Sequence, residues 1–126
     1  MSPRIRVLIA DDHRLFAEAL DAILAAEPRI EVVGRAYDGE EAVKQAFKLK
    51  PDVILMDIAM PGVDGVEATK RIRNKRQTAC VVILTGSNSR EDVARSREAG
   101  AAAYVTKDRI TSHLVETILE VAPGPK

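Results

Sequence analysis

Six polar side chains stand where short apolar runs end. Asp11 and Asp12 follow Ile5 to Ala10, Asp57 follows Val53 to Met56, Thr85 follows Cys80 to Leu84, and Thr106 and Lys107 follow Ala103 to Val105. If those runs are neighbouring strands about 4.8 Å apart, the carboxylates of Asp12 and Asp57 can share one small cation, with Asp11 reached through a water. Three carboxylates against one ammonium leave an excess of negative charge, which disfavours full ionisation unless a divalent ion arrives. Oxygen-only ligands favour Mg²⁺, which takes one or two carboxylates and keeps waters and phosphate oxygens as its other ligands. A carboxylate in such a place can attack phosphorus and form an acyl phosphate, with Mg²⁺, Lys107 and the Thr85 hydroxyl neutralising the equatorial oxygens.

The elements that must position these groups follow from periodicity. Strands are predicted at Ile5–Ala10, Ile30–Ala36, Val53–Met56, Cys80–Leu84 and Ala103–Val105; nearly unbroken Val, Ile and Leu in the first, third and fourth indicate burial on both faces of a parallel sheet. Between them, Leu15, Phe16, Ala19, Leu20, Ile23 and Leu24 recur at helical spacing up to Pro28. Asp38 with Glu41 resembles a capping box for a second helix burying Ala42, Val43, Ala46 and Phe47. Asp64 caps a third, which turns Val66 and Ile72 inward and ends in Arg71, Arg73, Lys75 and Arg76, cations suited to the negative end of a helix dipole. The fourth, Ser89–Ala99, has Val93 as its only large apolar residue before Gly100, so its docking is predicted to be weak. The last, Thr111–Val121, carries Leu114, Val115, Ile118, Leu119 and Val121, an apolar face wider than one sheet contact needs.

Strands alternating with helices and joined by right-handed crossovers make a three-layer α/β sandwich, for which the common strand order is 2-1-3-4-5. Ligands in such sheets bind beyond the carboxyl ends of the strands, where all six polar residues emerge. One domain is expected over residues 1–122, and 123–126, with two prolines and a glycine, reads as the start of a linker.

Bulk composition narrows the functional classes. With 19 basic and 19 acidic side chains the net charge is zero, so no overall positive field draws the chain onto nucleic acid. The single Cys80 forbids an internal disulfide and is expected to be a buried structural thiol. No apolar run approaches the roughly 20 residues needed to span a bilayer, and the opening Met1-Ser2-Pro3-Arg4 lacks a signal-peptide core; a cytoplasmic domain is expected. His13 and His113 have no partner at metal-ligand spacing, so zinc is not expected, and His13 is read as helping to start the first helix.

The run Val53-Ile54-Leu55-Met56-Asp57-Ile58-Ala59-Met60-Pro61-Gly62-Val63-Asp64-Gly65 resembles the phosphoacceptor signature of response-regulator receiver domains, and the likeness covers nearly the whole chain. Asp11 and Asp12 match the family's acidic pair, Thr85 its switch hydroxyl, Tyr104 its switch aromatic and Lys107 its lysine. The opening Val7-Leu8-Ile9-Ala10-Asp11-Asp12-His13 and the Lys107-Asp108 pair are most similar to the NarL/FixJ (LuxR-type) subfamily. The resemblance implies a flavodoxin-like (CheY-like) fold with five helices and phosphoryl transfer from a sensor histidine kinase to Asp57. It also implies Mg²⁺ held in part by the Ala59 carbonyl, homodimerisation on phosphorylation, and DNA contact only through a C-terminal output domain outside this chain. One departure is Asp108, where many relatives place proline after the lysine; a trans bond and a slightly different loop are expected there.

A competing reading is a haloacid-dehalogenase-like phosphatase, which also attacks through a strand-end aspartate and Mg²⁺. It normally wants an aspartate two residues after the nucleophile as acid and base, and this chain has Ala59. A scaffold without phosphorylation is disfavoured because Asp11, Asp12, Asp57, Thr85 and Lys107 are all present.

Overall fold

The computed structural model describes residues 4–76, 78–86 and 89–122. Five parallel strands, β1 (Ile5–Ala10), β2 (Ile30–Ala36), β3 (Val53–Asp57), β4 (Cys80–Thr85) and β5 (Ala103–Thr106), form one sheet in the order β2-β1-β3-β4-β5. The last three run one residue beyond their apolar stretches. Asp57, Thr85 and Thr106 are therefore the terminal residues of hydrogen-bonded strands, and the ladder holds their backbones in place. Asp57 pairs with Leu84 and Thr85 with Thr106 in register. The Ile58 amide then bonds Leu84 O at 3.0 Å, and the Asp11 amide bonds Ala36 O at 3.0 Å, which carries the order past the strand ends into the site.

Five helices complete the sandwich: α1 (Arg14–Ala25), α2 (Gly39–Leu49), α3 (Gly65–Lys75), α4 (Arg90–Ala99) and α5 (Ile110–Val121). A single 3₁₀ turn, Lys107–Arg109, leads from β5 into α5, so α5 starts one residue earlier than its apolar periodicity indicates. The described peptide bonds, Lys107–Asp108 included, are all trans. One core lies between the sheet and α1 with α5, built on Val7, Ile9, Leu20, Leu24, Leu55 and Leu114. The other lies under α2 and α3, built on Leu8, Ala42, Ala46, Ile54, Ile72 and Ile83.

Helix phases differ in detail from the sequence pattern. On α1 the fully buried residues are Ala17, Leu20 and Leu24, whereas Leu15 is 82% exposed and Ala19 lies outside. The spacing 17-20-24 is as helical as 16-20-23, and only the position of the sheet chooses between them. Val43 and Phe47 of α2 are half-buried rather than inside, because Ala42 and Ala46 bring that helix close to the sheet. Asp38 and Asp64 accept the Glu41 and Glu67 amides at 2.8 Å as N-caps. The Glu41 carboxylate bonds the Tyr37 amide, one residue before the expected capping-box partner. Helix α4 buries only Ser96 and Ala99, and the enclosed Ser96 hydroxyl has no hydrogen-bond partner, which agrees with weak docking. Cys80 is half-buried, not buried, and its thiol donates to Val121 O at 3.1 Å.

Gly65 sets how closely α3 approaches the end of β3. Its amide donates to Ile58 O at 2.9 Å, and a side chain there would run into the Asp57 carbonyl and Ile58 Cα, backbone atoms that cannot swing aside. We expect Gly65→Ala to cost about 2–4 kcal/mol, as overpacking against rigid neighbours does. Urea unfolding checks this, and a loss below 1 kcal/mol would mean that α3 slides freely on β3.

Candidate functional site

The carboxyl ends of β1, β3 and β5 bring Asp11, Asp12, Asp57 and Lys107 together. Asp11 is fully buried and Asp57 is 3% exposed. Lys107 Nζ stands 3.2 Å from Asp11 Oδ2 and 3.7 Å from Asp57 Oδ1. The same ammonium lies 4.3 Å from the centre of the Phe16 ring, so an aromatic face and two carboxylates hold it. Asp11 Oδ1 accepts the His13 amide at 2.8 Å. Asp12, partly exposed, keeps a buried Oδ1 with no hydrogen-bond partner. Carboxylate oxygens of Asp11, Asp12 and Asp57 lie within 4.8 Å of one another. Closely spaced oxygens with an orphaned buried acceptor among them suit a hard divalent cation, so the residues present fit Mg²⁺.

Electrostatics follow from this crowding. Burial, followed by the Asp11 charge, raises the Asp57 pKa to about 6, while Lys107 and the Ala59 amide, which bonds the carboxylate, pull it down. Without a bound cation the ionised Asp57 is thus held at a cost, and an arriving cation has that cost to relieve.

Of the other residues singled out, Thr85 is buried, and Tyr104 is half-buried against the α2/α3-side core. Ala59 is exposed beside Asp57. Two contributions escaped the sequence reading. Phe16, whose helical spacing assigns it to the core, also braces Lys107. His13 occupies the N-cap of α1, as its place before the helix indicates, but it makes no side-chain cap. Its Nδ1 instead lies 3.4 Å from oxygens of both Asp11 and Asp12. Adjacency to the Asp pair was visible in the chain; the rotation that turns the ring toward the pocket was not.

Residues 7–119 match the response regulator receiver domain family. The chain is a response regulator receiver domain. It is 42% identical over 120 residues to the transcriptional regulatory protein LiaR of Bacillus subtilis, covering 95% of this chain and 57% of that protein. This receiver domain therefore spans a little over half the length of that curated relative. It is also similar to the signal receiver domain of a response regulator NarL from Mycobacterium tuberculosis, with TM-score 0.93 and 31% identity, covering 98% of this chain and 100% of that one. A third likeness, with TM-score 0.88 and 25% identity, covering 94% and 90% of the two chains, is to a CheX-CheY-BeF₃-Mg²⁺ complex from Borrelia burgdorferi. The receiver domain is thus of the NarL/LuxR type, and the phosphatase reading finds no support among these likenesses. No helix among the described residues is long and apolar enough to cross a membrane.

The raised pKa gives the receiver domain a characteristic pH dependence. Between the ordinary carboxyl value and about 6, folded Asp57 holds a proton that the unfolded chain has released, so this contribution to stability is present at low pH and lost as pH rises through about 6. In metal-free buffer the expected loss from this group is up to about 3 kcal/mol, from roughly two pKa units. Asp57→Asn should remove that slope and raise the Tm at pH 8, and millimolar Mg²⁺ should recover much of the loss in the parent. Thermal melts from pH 4 to 8 with EDTA or Mg²⁺ test this; parallel profiles for parent and Asn variant would refute it.

Proposed function

We propose that this receiver domain accepts a phosphoryl group on Asp57 from the phosphohistidine of a sensor kinase, and the observation that carries this is the buried Asp57 carboxylate facing Lys107 beside the Asp11/Asp12 pair. An Asp57 oxygen attacks phosphorus, the P–N bond to the donor imidazole breaks, and the imidazole leaves with the bonding pair and takes up a proton. Lys107 neutralises one equatorial oxygen and the Thr85 hydroxyl hydrogen-bonds another. Asp12, Asp57 and the Ala59 carbonyl would hold Mg²⁺ directly, with Asp11 behind them; when bound, the ion supplies positive charge to the transferring oxygens. Asp57 is consumed in the transfer, so the domain is a phosphoacceptor that takes part in its own modification and not a turnover enzyme.

New acceptor oxygens on Asp57 would draw Thr85 and the end of β4 toward them, with Tyr104 following on β5, and α4 is the element that yields at least cost. The output is a homodimer that controls transcription in the cytoplasm, through a DNA-binding domain carried by the rest of a longer protein. Residues 1–122 form the receiver; the linker assigned to 123–126 lies outside the described residues. Exposed Leu15 and Ala19 on α1, with half-buried Leu119 on α5, favour pairing through α1 and α5. The alternative is the surface of α4, β5 and α5, where Tyr104, Asp108, Arg109 and His113 line an open cleft of about 580 Å³.

Acetyl phosphate with Mg²⁺ should add about 80 Da once per chain and then stop, as one covalent phosphoryl group requires. Asp57→Asn should abolish the addition, and light scattering of the beryllofluoride form should show a dimer. Labelling that survives in the Asn variant removes Asp57 from this role, many turnovers per chain restore an enzyme, and a monomer at hundreds of micromolar excludes both dimer surfaces.

The acyl phosphate should be long-lived, because the exposed Ala59 methyl cannot hydrogen-bond a water in line with the Asp57–phosphorus bond. Ser87, the nearby substitute two residues past Thr85, lies outside the described residues. One orienting hydrogen bond of about 1–2 kcal/mol corresponds to a rate difference of about 5- to 30-fold. Ala59→Asn should therefore speed decay by that factor with little change in labelling by a small donor. Equal decay rates would place control of water elsewhere.

A further inference from the structure

His13 stands apart from the all-oxygen set that suits Mg²⁺. Its Nδ1 lies 3.4 Å from Asp11 Oδ1 and 3.4 Å from Asp12 Oδ1. With oxygens of Asp11, Asp12 and Asp57 it forms a group of four ligand atoms, all within 4.8 Å of one another. Ligands on one octahedral ion, with bonds of about 2.1 Å, are separated by about 3.0 Å when adjacent and about 4.2 Å when opposite. The observed spacing needs only a small contraction to reach that range. The ring is 69% exposed and can rotate to make it, whereas Asp11 is buried and fixed. The orphaned Asp12 Oδ1 faces this imidazole at 3.4 Å, and no hydrogen bond joins them. An atom that is buried, anionic and without a hydrogen bond, beside a nitrogen lone-pair donor, is an arrangement that a cation between them would satisfy.

We infer that His13 is a nitrogen ligand of the cation site, so that the pocket takes divalent transition ions such as Mn²⁺ and Co²⁺ more tightly than its carboxylates alone would. This rests on reading Asp12 and Asp57 as the direct ligands of Mg²⁺. Imidazole adds little for Mg²⁺, which prefers oxygen, and adds much along the series from Mn²⁺ to Co²⁺. His13 would thereby set which ion the receiver carries when Mg²⁺ competes with a scarcer but more strongly held metal. His113 belongs to the α5 surface, where its Nδ1 lies 2.6 Å from Ser112 Oγ, and it serves as the control histidine.

The test is metal binding by the 126-residue chain, followed by calorimetry with Mg²⁺ and Co²⁺ and by electron spin echo modulation of bound Mn²⁺. His13→Ala should weaken Co²⁺ by about tenfold or more, as loss of one metal-tuning group does, and change Mg²⁺ less than about twofold. It should also abolish the ¹⁴N modulation on Mn²⁺, while His113→Ala preserves both affinity and modulation. His13→Gln, which keeps a polar chain of similar reach, should behave like the Ala variant and so excludes a packing effect. Unchanged Co²⁺ affinity in His13→Ala, or Mn²⁺ without ¹⁴N modulation in the parent, overturns the inference: His13 is then only a neighbour of the carboxylates. Mg²⁺ binding that survives both Asp12→Asn and Asp57→Asn overturns the underlying site assignment instead, whatever the His13 variants do.

Discussion

Everything at this site depends on the repulsion among carboxylates that the sheet forces together. Asp11 and Asp57 end adjacent parallel strands and are almost wholly buried, with Asp12 beside them and Lys107 as the ammonium within ion-pair reach. Water cannot screen charges so placed, and one ammonium cannot balance three carboxylates. Burial first, and the Asp11 charge second, push the Asp57 pKa up. A divalent cation or a change at Asp57 alters the balance at once, which is the property a chemical switch requires.

The rest of the fold keeps the repulsion from relaxing by movement. Strand ladders hold Asp57 and Thr85, the Asp11 amide is tied to Ala36, and Gly65 lets α3 close directly on the backbone after Asp57. Lys107 leaves β5 in a 3₁₀ turn and is braced by Phe16 of α1, so a residue from the far end of the chain is positioned by a helix near its start. Helix α4 lacks such restraint: its inward face is Ser96 and Ala99, with a buried hydroxyl lacking a partner. Rigid support under the chemistry and weak support beside it divide the domain into a part that stores the electrostatic strain and a part able to respond to it.

The edge formed by α1 illustrates the same economy. Ala17, Leu20 and Leu24 are the fully buried residues that seal the helix onto the sheet, and Leu15 is left in solvent. At the opening of that helix the N-cap residue supplies no side-chain bond to the helix and turns its imidazole toward two carboxylates. One helix thus presents an exposed leucine, Leu15, and two site-directed side chains, His13 and Phe16, at its start.

The strands, the Asp38 and Asp64 caps, the Gly100 stop, the convergence of Asp11, Asp12, Asp57 and Lys107, and the place of Thr85 at a strand end were legible in the chain. Unbroken Val, Ile and Leu runs require burial on both faces, and a parallel sheet then delivers every residue after a strand to the same edge. Helix phase was less determinate, because Phe16-Leu20-Ile23 and Ala17-Leu20-Leu24 both fit a period of 3.6 and only the docked sheet distinguishes them. The partial exposure of Phe47 and Cys80 was hidden for a related reason: an apolar residue states a preference for burial, while neighbouring elements decide how much of it is covered. The sequence alone determined which charged groups meet. Tertiary structure decided how deeply each is buried, which aromatic ring holds Lys107 and that His13 faces the pocket, because solvent exclusion and side-chain direction depend on packing between elements distant in the chain.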